Sequence, residues 1–145
     1  MDDPTRHLAV SLFSELLAVE QLSRTRVARV LPKGMELSHF SVLNHLASSN
    51  SERSPAQLAR NFHLTRGAMT NTLAKLEWSG WIHVRPDWDD ARRKIVTISP
   101  AGLSARNAAL AAIAPLILNL VDTVGEERVK TTLPVLRALR TKLSE

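Results

Sequence analysis

The stretch from Thr65 to Gly102 restricts the fold of this chain more than any other part of the sequence. It begins with a threonine typical of a helix N-cap, and Met69, Leu73 and Leu76 follow at four- and three-residue steps that place them on one helix face. Gly80 then ends the helical pattern, as a residue in the left-handed conformation does. Two short runs of β-type alternation come next, joined by a basic turn. The pattern therefore predicts a helix followed directly by a β-hairpin.

Two shorter helices are predicted before this unit. One runs from His39 to about Ala47 with Ser38 as its N-cap, and a polar loop from Ser48 to Ser54 follows it. The other runs from Pro55 to about Phe62 with Ser54 as its N-cap. A tight turn at His63-Leu64 joins the second of them to the helix that begins after Thr65. Helix, turn, helix and basic hairpin form the outline of a winged helix-turn-helix, in which one helix enters the major groove of DNA and the hairpin lies beside it.

Long helices are predicted at both ends of the chain. Apolar residues recur at helical spacing from Thr5 to about Val30, and again from Pro100 to Val124 and from Glu126 to about Leu143. The most apolar run of the chain, Ala108 to Val124, also contains polar residues and Pro115, so it is interpreted as a buried helix rather than a membrane span. Pro115 and Pro134 are each expected to kink or divide their helix.

The terminal helices carry more apolar surface than a solvated helix tolerates. We expect this surface to form a seam between two copies of the chain, with packing within one subunit as the alternative. The predicted fold is mainly α with a small β-hairpin wing, a winged helix-turn-helix flanked by N- and C-terminal dimerisation helices. Its predicted division is an N-terminal dimerisation helix at 1–34, a DNA-binding domain at 35–99 and C-terminal dimerisation helices at 100–145.

Basic residues are concentrated in the predicted winged unit. The chain has 145 residues and a formal net charge of +5, and eight basic and four acidic residues between Arg53 and Lys94 account for +4 of it. Positive charge grouped on such a motif is typical of a protein that binds a polyanion, although a mildly basic solvated surface is the alternative interpretation. Hydrophobic residues make up 44%, enough for a packed core.

Several classes of function are disfavoured by what the sequence lacks. Without cysteine the chain has no disulfide, thiolate zinc site or cysteine redox switch. The five histidines are scattered with no ligand spacing, so neither a metal nor a cofactor is expected. Since no nucleophile–base constellation or phosphate loop is present, an enzyme is not expected either. The N-terminus has no signal-peptide pattern, and a cytoplasmic location is expected.

The wing carries the most specific motif. Asp90-x-Arg92, then Val96-x-Ile98-Ser99-x-x-Gly102, resembles the Asp-x-Arg, Val-x-Leu-Thr and helix-opening glycine of the MarR family of bacterial transcriptional regulators. Leu64-Thr65 and the helix ending Leu76-Glu77-x-x-Gly80 match as well, and the order of helices matches over nearly the full length. The resemblance implies a homodimeric repressor that binds a palindromic operator in double-stranded DNA, and a small anionic or aromatic effector that releases it. A regulator that works without a ligand is the alternative.

The resemblance also implies roles for the wing residues. Arg92 would enter the minor groove at the wing tip, and Asp90 would hold its guanidinium in place. A narrow A·T-rich minor groove attracts arginine because it concentrates negative potential, and the planar guanidinium suits a carboxylate partner. The alternative for this pair is a surface ion pair that contributes little.

The exposed face of the helix after Thr65 is predicted to contact DNA. Its first two turns present Arg66, Gly67, Thr70 and Asn71, where Arg66 could read guanine and Asn71 could read adenine. Glycine in this helix costs about 1 kcal/mol of helix propensity, which indicates that close approach matters there. A solvated helix face is the alternative. The predicted phosphate contacts are Lys75, Arg85, Arg93 and Lys94.

Three positions depart from the common family pattern and bear on which operator is bound: Asn71, Ala68 and Ala91. His39 and Arg24 are weak candidates for binding an effector, with a capping or surface role as the favoured alternative. Among the tryptophans, Trp81 is predicted in the core under the hairpin. Trp78 and Trp88 are interpreted as wing packing, with partial exposure as the alternative. The alternative function for the whole chain is a winged-helix protein-interaction module without specific DNA binding.

Overall fold

A computed structural model of the chain describes residues 3–49 and 52–145. Within these residues one long helix precedes three short helices and a hairpin, and two long helices follow them. The predicted fold class, mainly α with a β-hairpin wing, is confirmed. The elements in chain order are α1 (Pro4–Val30), α2 (Leu37–Ser49), α3 (Pro55–Asn61), α4 (Arg66–Trp78), β1 (Ile82–Pro86), β2 (Lys94–Ile98), α5 (Pro100–Val124) and α6 (Glu126–Leu143).

The chain divides into two compact units, residues 1–112 and residues 113–145. The first unit contains α1 to α4, the hairpin and the first half of α5, and the second contains the rest of α5 with α6. The boundary between the units falls inside a helix. The functional division at residues 34 and 99 therefore stays a prediction, and its residues 1 and 2 lie outside the described part of the chain.

Side-chain caps begin most of the helices, because the first backbone N–H groups of a helix have no partner within it. Thr65 Oγ1 accepts from the N–H of Ala68 at 3.1 Å and begins α4. Ser54 and Gln57 form a reciprocal capping box at the start of α3, with distances of 3.1 and 2.8 Å. The caps at Ser54 and Thr65 are those that the sequence predicts.

Helix α2 begins two residues earlier than predicted, at Leu37 rather than His39, so the predicted N-cap Ser38 lies inside the helix. The N–H of Glu36 donates to His39 Nδ1 at 3.0 Å. The histidine side chain thus gives a hydrogen-bond partner to the backbone N–H of the residue just before the helix. A histidine is an uncommon partner for this position, where glutamate or glutamine is usual. The sequence pattern alone therefore placed the start too late.

The core lies in the first unit, where α2, α3, α4 and the hairpin pack together. Burying these side chains removes apolar surface from water, which is the main favourable contribution to folding. The three residues predicted on the inner face of α4 are all buried. The buried cluster consists of Met35, Val42, Leu43, Leu46, Leu58, Ala59, Met69, Leu73, Leu76, Ile82, Val96 and Ala109, with Trp81 and Phe62 packed partly buried against it.

The hairpin is antiparallel, with Ile82 opposite Ile98 and Pro86 opposite Lys94. A third segment joins it: Arg53 forms an isolated bridge with Val96, with N···O distances of 3.2 and 2.7 Å. The sequence predicted only a polar loop there. One residue of backbone pairing leaves no periodicity in a sequence, so this contact has no local signal.

Helix α5 is not buried within the described chain, and the prediction of a buried helix is wrong for a single copy. Only 11% of its most apolar 18-residue window is buried, and the mean hydropathy of that window is 1.6. By length and composition it could cross a membrane, although one such helix is weak evidence of a membrane span. Pro115 and Pro134 each lie within a continuous helix, so neither divides its helix as the sequence allowed.

Candidate nucleic-acid interface

A basic groove runs between the first turns of α4 and the wing. It encloses about 350 Å³, and α4 contributes Arg66 and Thr70 to it, while the wing contributes Arg92, Arg93 and Lys94. The remaining wall comes from Ser54, Pro55 and Ala56 at the start of α3. Four cationic side chains thus share one concave surface, which is an arrangement that attracts a polyanion. The structure brings together five of the predicted site residues.

The outer face of α4 is free of contacts that would hide it. Met69, Leu73 and Leu76 hold the opposite face in the core, so Arg66, Gly67 and Asn71 are exposed. A methyl group on Gly67 would meet no atom of the chain within 4 Å. The hydroxyl of Thr70 donates to the carbonyl oxygen of Arg66 at 2.7 Å, which leaves its oxygen available as an acceptor.

Arg92 and Asp90 form the predicted contact at the wing tip. Arg92 Nε lies 3.0 Å from Asp90 Oδ1, Nη2 lies 3.3 Å from Oδ2, and the Arg92 N–H donates to Oδ1 at 3.1 Å. These hydrogen bonds from Arg92 lower the pKa of the Asp90 carboxyl. The Arg92 side chain is nevertheless 90% exposed, so its guanidinium is oriented by the carboxylate and still open to solvent.

Arg85 is engaged elsewhere and does not line the basic groove. Its guanidinium pairs with the carboxylate of Glu52, donates to the carbonyl oxygen of Pro86 at 3.1 Å and stacks 4.1 Å from the centre of the Trp88 ring. A paired and stacked guanidinium is less available to a phosphate than a free one. Arg85 is therefore the least accessible of the predicted phosphate contacts.

Two of the three tryptophans project into solvent. Trp81 is half-buried against the core, as predicted, but Trp78 is 90% exposed and Trp88 is 83% exposed. Trp88 packs only against Arg85 among the contacts described, and Trp78 does not pack in the wing. The interpretation of Trp78 as wing packing is thus wrong.

The remaining predicted residues lie away from the basic groove. Lys75, in the last turn of α4, has its Nζ 4.0 Å from Glu36 Oε1. His39 is buried in α2, and burial lowers its pKa although Glu36 opposes the shift. Arg24 is exposed on α1 and pairs with Glu20 of the same helix, and the groove beside His39 does not include it. Over residues 3–49 and 52–145, no cluster of three potential metal ligands occurs.

The sequence prediction missed one wall of the interface. Ser54, Pro55 and Ala56 were assigned only to the start of α3, yet they line the basic groove. Glu52 was assigned to a loop, yet it pairs with Arg85 on the wing, 33 residues along the chain. Proximity of this kind arises from the fold, so only the charge of Glu52 beside a basic unit could have hinted at it.

Comparison with known proteins supports the family resemblance of the wing and the helices. A sequence model described as the MarR family matches residues 33–93. The transcriptional regulator BldR from Sulfolobus solfataricus is 25% identical, with a TM-score of 0.83 over 98% of this chain and 99% of that one. A mutant of MarR from E. coli, in complex with operator DNA, is 20% identical, with a TM-score of 0.81 over 95% of this chain and 99% of that one.

A third solved structure has the same fold. The organohalide-sensing regulator RdhR-CbdbA1625, in its 2,4-dichlorophenol-bound form, is 17% identical, with a TM-score of 0.83 over 99% of this chain and 87% of that one. No curated protein matches the chain in sequence. Together the sequence match and the fold confirm the predicted resemblance to MarR-type regulators.

Proposed function

We propose that this chain, which matches the MarR family over residues 33–93 and has the fold of its transcriptional regulators, binds a palindromic DNA operator as a homodimer and represses transcription. The observation that carries the proposal is the basic groove, where α4 and the wing present four cations on one concave surface. The solved complex of the E. coli MarR mutant with operator DNA, which shares this fold, supports the same role.

Helix α4 acts as the recognition helix in this proposal. Its first two turns present Arg66, Gly67, Thr70 and Asn71 to solvent, and this end of a recognition helix meets base edges in the major groove. Arg66 can donate two hydrogen bonds to guanine, and Asn71 can pair with adenine. Gly67 leaves room for a phosphate or a thymine methyl group to approach the backbone.

The wing supplies a second contact. Arg92 enters the minor groove with its guanidinium oriented by Asp90, where a narrow A·T-rich groove favours arginine. Arg93 and Lys94 contact phosphates from the same groove wall, so they contribute affinity and salt dependence rather than sequence choice. Lys75 is a further phosphate contact, whereas Arg85 can contact a phosphate only after its ion pair with Glu52 has broken.

A second copy of the chain covers the exposed apolar helices. None of the α1 residues is buried, and the apolar side chains of Leu8, Phe13 and Leu17 are more than half exposed. In the second unit Leu118 and Leu120 of α5 are likewise more than half exposed. Apolar surface of this extent on a chain with the fold of a DNA-binding regulator indicates a dimer interface rather than a membrane span. Such a dimer presents two recognition helices, one for each half-site of the operator. We place this dimer in the cytoplasm, together with the DNA that it binds.

The chain acts by binding, without enzymatic turnover and without a cofactor. An effector releases the operator by binding more tightly to the conformation that does not fit DNA, because a ligand shifts an equilibrium only through different affinities for the two states. The dichlorophenol-bound regulator of the same fold supports a small ligand as the effector. Binding residues for it are proposed on α2, at His39, with Arg24 as a weaker candidate.

Selection of bound duplexes from a random DNA pool tests this function. We expect a palindromic winner, bound far more tightly than a scrambled duplex at the same salt concentration, by a protein that sediments as a dimer. Equal and salt-sensitive binding of both duplexes would contradict sequence recognition. No binding of either duplex would favour the second candidate, a winged-helix module that binds another protein.

A further inference from the structure

A second groove lies in the first unit, on the side of α4 that carries Lys75. It encloses about 480 Å³ between the start of α2 and the last turns of α4. None of its residues lines the basic groove, although Lys75 is also proposed above as a phosphate contact. Its lining residues are Gly34, Glu36, His39, Ala74, Lys75, Trp78 and Ser79.

His39 lines this groove and has an unused hydrogen-bond donor. The residue is 6% exposed, and its Nδ1 accepts from the N–H of Glu36 at 3.0 Å. An imidazole whose Nδ1 accepts carries its hydrogen on Nε2 when it is neutral. No acceptor for that hydrogen is found in the part of the chain that the structure describes, and a buried donor without a partner is costly. A ligand atom that accepts this hydrogen would remove the cost.

The groove also carries one charge of each sign. Lys75 Nζ lies 4.0 Å from Glu36 Oε1, and both side chains are more than half exposed, so the pair is open and its atoms still have hydrogen-bonding capacity. A ligand with only a carboxylate would satisfy Lys75 and His39 but would bring a like charge towards Glu36. A ligand with only an amine would repel Lys75. The pair therefore favours a ligand that carries both charges.

Trp78 completes the groove with an uncovered aromatic surface. Its side chain is 90% exposed at the end of α4, where burying an indole would be favourable. An aromatic ring on the ligand can stack against this indole. The volume of the groove is within the range of small-molecule sites.

We propose that the groove between α2 and α4 binds a free aromatic α-amino acid. The ligand carboxylate accepts from His39 Nε2 and pairs with Lys75, its ammonium group pairs with Glu36, and its ring stacks on Trp78. The site thereby assigns a chemical class to the effector of the proposed function, and its regulatory meaning rests on that function. Ligand binding itself does not require DNA, so failure of the DNA-binding proposal leaves the test of this site intact.

Calorimetry of the full chain with four probes tests the site. L-Phenylalanine presents all three groups, 3-phenylpropanoate lacks the ammonium, phenethylamine lacks the carboxylate, and L-alanine lacks the ring. We expect L-phenylalanine to bind about three- to tenfold more tightly than each of the others, since each lost charged or aromatic contact is partly screened by solvent. Equal affinity for 3-phenylpropanoate, or no binding of any probe, would overturn the assignment.

Two variants connect the affinity to the named residues. Glu36→Gln should abolish the preference for L-phenylalanine over 3-phenylpropanoate, while Trp78→Ala should abolish the preference for L-phenylalanine over L-alanine. Trp88→Ala is the matched control, because Trp88 is also largely exposed but lies outside the groove. Since Trp78 contributes almost nothing to the core, its variant should fold normally. Loss of the ring preference in the Trp88 variant, or its survival in the Trp78 variant, would contradict the site.

Discussion

Gly102 packs so closely against the backbone of Trp81 that there is no room for a Cβ atom at this position. A methyl group on Gly102 would lie 1.9 Å from the carbonyl oxygen of Trp81 and 3.0 Å from Ile98 Cγ1. Ser99 supports the same junction, since its hydroxyl donates to the carbonyl oxygen of Gly80 at 2.6 Å and accepts from the N–H of Gly102 at 3.0 Å. The start of α5 is thereby held against the wing.

Gly102→Ala should therefore destabilise the chain. Relieving the clash requires α5 or the wing strand to shift, and overpacking of this kind costs about 1–3 kcal/mol of unfolding free energy, or more where backbone atoms clash. Urea unfolding followed by circular dichroism measures the change. An unfolding midpoint equal to that of the unaltered chain would contradict the close packing.

Gly67→Ala should have the opposite effect on stability. Its methyl group meets no atom of the chain within 4 Å, and alanine is a better helix former by up to about 1 kcal/mol. If close approach to DNA explains the glycine, the same variant should bind the selected operator less tightly while it unfolds at higher urea. A more stable variant with unchanged operator affinity would remove Gly67 from the proposed interface.

Arg92→Ala and Lys75→Ala should separate sequence choice from general affinity. Loss of Arg92 should weaken binding to an A·T-flanked palindrome by about 1–3 kcal/mol and reduce the preference over random DNA. Loss of Lys75 should weaken binding to all duplexes more uniformly, because a phosphate contact carries no sequence information. Fluorescence anisotropy with both duplexes provides the comparison. Equal effects of the two changes on specific and random DNA would refute this division of roles.

Glu52→Gln should increase affinity for DNA of any sequence. The change releases Arg85 from its carboxylate partner, so one more cation becomes available to a phosphate. The slope of the logarithm of affinity against the logarithm of salt concentration should become steeper by about one unit, as expected for one more phosphate contact. Glu20→Gln is the matched control, since it breaks a comparable pair with Arg24 on α1. An unchanged salt dependence in the Glu52 variant would mean that Arg85 stays on Trp88 and away from DNA.

The stability of the chain should decrease in mildly acidic solution because of His39. Burial lowers its pKa in the folded state below the ordinary 6.5, with Glu36 opposing and Lys75 reinforcing the shift. The unfolded chain therefore binds a proton first, and the contribution of neutral His39 is complete above 6.5 and is lost as pH falls from there towards the lowered folded pKa.

Urea unfolding between about pH 7.5 and about pH 5.5 measures this dependence. His39→Gln is the matched variant, because glutamine can accept the hydrogen bond from Glu36 but does not titrate. The slope of stability against pH should be smaller in the variant over this window. An identical slope would assign the effect to other groups.

Much of the winged unit could be predicted because its signals are local. The caps at Ser54 and Thr65 and the inner face of α4 follow from residue type and helical spacing over a few positions. The Asp90–Arg92 contact is similarly local, because two residues of the same turn are always close to each other. The start of α2 was missed because it depends on an unusual histidine partner for Glu36.

Contacts between distant parts of the chain could not be predicted in this way. Arg53 pairs with Val96 through backbone atoms, and Glu52 pairs with Arg85 across 33 residues, so neither leaves a repeated pattern in the sequence. The exposure of α5 was also misjudged, because an apolar helix has the same composition whether its own chain or another copy covers it.

Residue order was enough to indicate which segments become helices and strands, where the positive charge is concentrated and which family the wing resembles. Folding in three dimensions was needed to bring Arg66 and Arg92 into one groove, to turn Arg85 away from it and to line another groove with His39, Lys75 and Trp78. The difference arises because helix formation, capping and strand alternation depend on neighbours along the chain. A groove depends on which surfaces approach once the core has packed.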